Sequence, residues 1–214
     1  MSHPGDTSVH APLRVWGRLN SANVQKVLWC LDDLRIDYRL ELAGGSHQGL
    51  DTDAFRAMNP NRLVPVLVDG DSALWESNVI VRYLCRQYAP DTACRANPLQ
   101  QALEERWADW YGTELGAHMT ALWGHFRRGK VLPPEALEHH IERATRLWGM
   151  LDSVIAEPSF IGGVVPGVSD YVLGPAIHRW VSINEGAVSS NLLHWYRALA
   201  VRSAYARHVV AAPL

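Results

Sequence analysis

The stretch LRVWGRLNSANVQKVLWCLDDLRIDYRLEL, Leu13 to Leu42, decides the fold. LRVWG is a short apolar run closed by glycine and reads as a strand. Val24, Val27, Leu28, Leu31 and Leu34 then recur at the three- and four-residue steps of one helix face. DYRLEL alternates apolar and polar residues with the two-residue period of a second strand. The result is a β-α-β unit. Ser21 stands at the mouth of its helix, with no cysteine, histidine or acid in the turn.

Working outward, the glycine-rich AGGSHQG is a loop, and DTDAFRAMNP is one or two helical turns with an acidic start. VPVLVDGDSALW reads as a hairpin of two apolar runs about a DGD turn. ESNVIVRYLCRQY then places Val79, Ile80, Tyr83 and Leu84 on one helical face. Residues 13–88 therefore form a β-α-β-α-β-β-α domain, preceded by a loose tail over 1–12. In APDTACRANP, residues 89–98, prolines at 90 and 98 break the pattern and mark a linker.

Beyond it, residues 99–214 show no convincing strand. Leu103, Trp107, Trp110 and Tyr111 begin a long helix running to about Phe126. Leu137, Ile141, Ala144, Trp148, Leu151 and Ile155 recur at steps of 4-3-4-3-4 in a further amphipathic helix. Shorter helices follow near 168–183, 190–200 and 202–209. The fold class is α/β plus all-α.

Composition excludes several partners. A formal net charge of −2 over 214 residues, without a polybasic run, gives no footprint for nucleic acid or a membrane surface. No apolar run reaches the roughly 18 residues of a membrane span, and the first twelve residues lack the apolar core of a secretion signal. A cytoplasmic protein is expected. Cys30, Cys85 and Cys94 form no C-x-x-C pair and suit a reducing compartment, Cys30 and Cys85 as buried filler. Neighbours such as His139 and His140 do not share a helix face, and His118 and His125 have no nearby acid partner, so no metal is expected. No glycine-rich phosphate loop is present.

Four segments in register, GRLNSANVQKVLW, NPNRLVPVL, LWESNVIVRYL and GVSDYVLGPAIHRW, make the chain resemble the cytosolic glutathione S-transferase family from Leu13 to Val210. The resemblance is to its serine-using classes, theta- or delta-like or a related bacterial one. The resemblance implies a thioredoxin-like glutathione-binding domain followed by the family's helical domain, in a homodimer.

It also assigns roles. The Val64-Pro65 bond would be cis, so that Val64 offers its backbone N–H and C=O to glutathione's cysteinyl unit as a neighbouring strand would. Ser77 and its N–H would hold the γ-glutamyl carboxylate at a helix N-terminus, while Glu76 faces the ammonium of the same residue. Arg62 is the candidate for the glycyl carboxylate. Ser21 would donate to the glutathione sulfur, with Asn23 at the place where some bacterial relatives use an asparagine. The electrophile pocket, between the domains, would draw on Trp16, Trp107, Tyr111, His118 and Trp123.

Each assignment has an ordinary structural counterpart. Ser21 also suits an N-cap, Glu76 and Ser77 suit any helix start, and the aromatic residues suit a core. Cap and catalyst differ in geometry: a cap aims its oxygen at its own helix, a catalytic serine at the ligand. One hydroxyl can suffice for the chemistry. Lowering a thiol pKa from about 8.5 by about two units needs roughly 2.7 kcal/mol. A hydrogen bond to a charged group gives about 1.5–3 kcal/mol, and a helix N-terminus adds about 0.3–1.

Gly167 stands three residues before Asp170, where similar proteins carry Ser or Thr, so a weaker cap is expected on that helix. The resemblance implies glutathione conjugation to an apolar electrophile. Glutathione-dependent peroxide or disulfide reduction and a non-catalytic scaffold are the alternatives.

Overall fold

The structure is a computed structural model that describes residues 12–89, 97–155, 160–184 and 188–212. The tail read over 1–12 and the linker read over 89–98 therefore lie almost wholly outside the described residues. So does Cys94.

Strand β1 (Leu13–Gly17), helix α1 (Ala22–Asp33) and strand β2 (Tyr38–Leu42) form the expected unit. After a 3₁₀ turn at Gly45–His47 come α2 (Asp53–Met58), β3 (Val66–Asp69), β4 (Ser72–Trp75) and α3 (Ser77–Tyr88). The sheet order is β2-β1-β3-β4, with β1 parallel to β2 and antiparallel to β3. Parallel pairing of β1 and β2 requires a crossover, which α1 supplies. This is a thioredoxin-like sheet with helices, followed by a helical region.

The pleat divides β1. Leu13, Val15 and Gly17 are buried in the main core, whereas Trp16 packs with Phe55 of α2 in a smaller cluster. α1 carries the expected Val24, Val27, Leu28 and Leu31 inward. It also buries Gln25, Lys26, Trp29 and Cys30, because it packs against both α3 and α7 (Val168–Ile183).

α3 is rotated from the expected face. Ile80, Val81, Leu84 and Cys85 are buried, while Val79 is 47% exposed. Contact with α1 and α7 on one side and β4 on the other selects that stripe over the one the spacing suggested.

The helical region begins with α4 (Pro98–Trp110), passes through a π turn at Tyr111–Leu115 and continues as α5 (Gly116–Arg128). The long helix expected to reach Phe126 thus exists, interrupted by the wider turn. Gly129, at φ 65°, ends it in the left-handed conformation suited to glycine. α6 (Pro134–Asp152) buries Ala144, Leu147, Trp148 and Leu151, and Ile141 of the expected stripe reaches the surface. α8 (Ser190–Ala200), α9 (Ser203–Tyr205) and a π turn at Ala206–Val210 follow.

α7 is the central helix, buried from Val168 to Ile177. Asp170 holds its start, accepting from the backbone N–H groups of Gly167, Ile161 and Gly162 at 2.9, 2.9 and 2.7 Å. Trp195 Nε1 donates to the same carboxylate at 2.8 Å. The missing cap hydroxyl at Gly167 is thereby offset by an acid with four donors, and the weak cap expected from the sequence understates this helix start.

The two regions meet on α1. The Trp29 ring lies 4.7 Å from Tyr171 and 4.8 Å from Tyr205, under Gly174, where an added Cβ would come within 2.4 Å of Trp29. At the far end of α1, Asp33 accepts both bonds of Arg202 at 2.8 and 2.9 Å, and Asp32 pairs with Arg207 and His208 at 2.7 Å each.

Candidate active site

Ser21 occupies the N-cap of α1 with an extended backbone, φ −93° and ψ 119°. Its carbonyl starts the helix by accepting from Gln25 N at 2.9 Å. Its side chain makes no capping hydrogen bond, so α1 leaves the hydroxyl unused. Asn23, two residues on, is exposed.

The second helix start is built differently. Glu76, the N-cap of α3, sits at φ 70° and ψ 107°, a conformation costly for a residue with a Cβ and typical of ligand-holding loops. Ser77 behind it is buried. Lys26 Nζ lies 3.5 Å from Ser77 Oγ and 3.1 Å from Asn78 Oδ1, so the start of α3 rests against α1. Lys26 is five residues past Ser21, or about 7.5 Å along a helix.

Lys26 is a residue the sequence reading missed. It stood in the polar gap between Val24 and Val27, where a lysine reads as solvated. It is instead buried, and its pKa is pushed down to about 7, first by burial and then by Arg179, with Glu76 opposing. Its ammonium lies 4.9 Å from the centre of the Tyr111 ring.

Val64-Pro65 is cis, as expected. The turn before it is fixed by buried Asn59, which donates to Leu63 O at 2.8 Å and accepts from Asn61 N at 3.0 Å. Arg62, at φ 54°, is exposed and paired with Asp51 at 3.0 Å.

The five pocket candidates separate. Trp16 is turned by the pleat onto Phe55, with ring centres 6.2 Å apart. Trp107 lines a cavity of about 550 Å³ with Leu103, Glu104 and Phe160, and neither Lys26 nor Tyr111 lines it. His118 is drawn to the α6 side, with Nδ1 2.8 Å from Nδ1 of His140 and its ring also near His139. The adjacent pair His139-His140 thus shares a neighbour despite its spacing, because both rings reach around the helix. Tyr111 and Trp123 remain at the junction of the two regions. Trp123 lines a narrow cavity with Asn20, Gln25, His178 and Arg179.

Sequence comparison places these features in a family. The glutathione S-transferase N-terminal domain model matches residues 17–92. The glutathione S-transferase GstB of Escherichia coli K12 is 38% identical over 94% of this chain and 99% of its own length. A theta class glutathione S-transferase from Xanthomonas axonopodis pv. citri, solved with glutathione bound, superposes with a TM-score of 0.82 at 36% identity, covering 94% of this chain and 99% of that one. Glutathione transferase F2 of Populus trichocarpa, at 20% identity and a TM-score of 0.83 over 93% of this chain and 98% of that one, shares the fold. The chain belongs to the cytosolic glutathione S-transferase family and is a glutathione-dependent transferase.

Among the described residues no helix is long and apolar enough to cross a membrane.

Proposed function

We propose that the enzyme conjugates the glutathione thiolate to an electrophilic small molecule with an apolar body, giving a thioether. The observation that carries this reading is the Ser21 hydroxyl, which stands at a helix N-terminus and is not spent on its own helix. It acts as a neutral donor to the sulfur and needs no general base, because the thiol proton leaves to solvent.

Glutathione lies across residues 13–88. Val64 meets the cysteinyl backbone, Ser77 and the first N–H groups of α3 take the γ-glutamyl carboxylate, and Glu76 faces its ammonium. Arg62 exchanges Asp51 for the glycyl carboxylate. Asn23 is exposed beside Ser21 and supports the same sulfur. The glutathione-bound structure of the Xanthomonas relative supports the ligand. Family likeness supports a homodimer acting in the cytoplasm, which sedimentation at micromolar concentration checks. Conjugation is favoured over disulfide exchange on the protein itself, since the one cysteine of α1, Cys30, is fully buried.

The test is a glutathione titration followed by thiolate absorbance in the wild type and in Ser21→Ala. The wild type is expected to bind and ionise the thiol near neutral pH. Failure to bind would sink the reading; binding with an unshifted thiol would remove the role of Ser21.

A further inference from the structure

Three guanidinium groups converge beside Ser21 without an acid among them. Arg18 Nη1 donates to Asn20 Oδ1 at 2.6 Å, and Arg128 Nη2 donates to Asn20 O at 3.0 Å. Arg179 of α7 lines the same narrow cavity as Asn20, with its Cζ 4.9 Å from the centre of the Trp123 ring. Each feels the others: Arg128 and Arg18 both bear on Arg179, and Arg128 on Arg18. Among the described residues, none of the three makes an ion pair. Arginines elsewhere do, as Arg82 with Glu105 at 2.8 Å and Arg202 with Asp33 at 2.8 Å.

Arg179 is the most exacting of the three. It is half-buried on the central helix, with its Cζ over the Trp123 ring and with Tyr111, Lys26 and His178 also near enough to feel its charge; none of these is a carboxylate. A desolvated guanidinium without a carboxylate costs stability, and one held against an indole is preorganised to receive one in two-pronged fashion. His178, next to it, is pushed down to about 4 by burial and by Arg179, so it is neutral and adds no charge.

We propose that the second substrate carries a carboxylate on its apolar body, and that Arg179 anchors it, with Arg128 and Arg18 supplying the surrounding positive field. This rests on the transferase reading above and names the substrate class. In the proposed site glutathione's own carboxylates are served at Ser77 and Arg62; Arg128 and Arg179 come instead from α5 and α7, with Arg18 reaching toward Asn20 from beside the Gly44–Gly45 loop. With an aryl chloride, the thiolate attacks the ring carbon and the C–S bond forms. Chloride leaves with the C–Cl electron pair, and the carboxylate on Arg179 is unchanged.

The test compares 4-chloro-3,5-dinitrobenzoate with its methyl ester, each rate divided by its uncatalysed rate with glutathione. The wild type is expected to favour the acid in kcat/KM, mainly through KM. In Arg179→Gln the acid-to-ester ratio should fall roughly 10- to 100-fold, as loss of a charge-assisted bond predicts. Arg179→Lys should restore part of it, and Arg128→Gln should lower it less. A ratio near one in the wild type, or one unchanged in both Arg179→Gln and Arg128→Gln, overturns the inference. An unchanged ratio with a raised thiol pKa overturns it in favour of thiolate stabilisation. Glutathione titrations on the same preparations separate the two failures: bound, ionised glutathione with a flat ratio rejects only the anionic substrate, whereas absent binding rejects the transferase site as well.

Discussion

The ammonium of Lys26 lies 3.5 Å from the hydroxyl of Ser77, buried beneath the helix start that receives a carboxylate in the proposed site. The two regions of the active site are joined through this contact, because Lys26 also lies under Tyr111 and feels Arg179.

A pH dependence follows. Burial lowers the Lys26 pKa from its ordinary 10.5 to about 7, so between those values the unfolded chain holds the proton and the folded chain releases it. The unfolded state binds more protons, and stability from this group rises with pH across about 7 to 10.5. Between pH 7 and 9, urea unfolding of the ligand-free wild type should gain on the order of 2 kcal/mol relative to Lys26→Met. Parallel pH profiles for the two proteins would show the lysine to be ordinary.

Ser21→Ala separates cap from catalyst. With no capping bond to lose, its folding stability should change by less than about 0.5 kcal/mol, against the 0.5–2 typical of a true N-cap. The pKa of bound glutathione should meanwhile rise by about one to two units, as loss of one hydrogen bond to a thiolate predicts. Chemical denaturation and thiolate titration on one preparation check both; a large stability loss with an unmoved thiol would return Ser21 to a structural role.

Ser77→Ala should raise KM for glutathione by roughly tenfold or more with a smaller change in kcat, since in the proposed site its hydroxyl serves a carboxylate remote from the sulfur. Steady-state kinetics with varied glutathione decide it, and a loss confined to kcat would contradict the placement.

Asp170→Asn replaces an acid that accepts from four donors in the core. One amide cannot accept from all four, so unfolding should cost about 3 kcal/mol less, measured by urea titration. A change below about 1 kcal/mol would mean that the neighbouring backbone supplies the cap.

Much of this molecule was legible in the sequence. The strand, helix and strand of Leu13 to Leu42 appear within a residue or two of the reading, because period and punctuation are local signals. The late helices near 168–183 and 190–200 likewise fall at α7 and α8. Long-range packing was not legible. Trp107 and Tyr111 are joined by a regular helical bond, Tyr111 N–H to Trp107 O, yet Trp107 lines a cavity with Leu103 and Phe160 while Tyr111 meets Lys26, a difference set by what packs on each rather than by spacing. Lys26, Arg128 and Arg179 come from three helices, and nothing in the spacing along the chain announces that they approach one another. Trp16 was placed by the pleat, which fixes the side of the sheet but not what covers it.

α1 also has a mechanical role. Its first residue follows Ser21, its middle is seated under Gly174, and its last two acids are tied to Arg202, Arg207 and His208. A helix so clamped moves with the helical half of the molecule as much as with the sheet. The two halves therefore do not part like a clamshell around the thiolate.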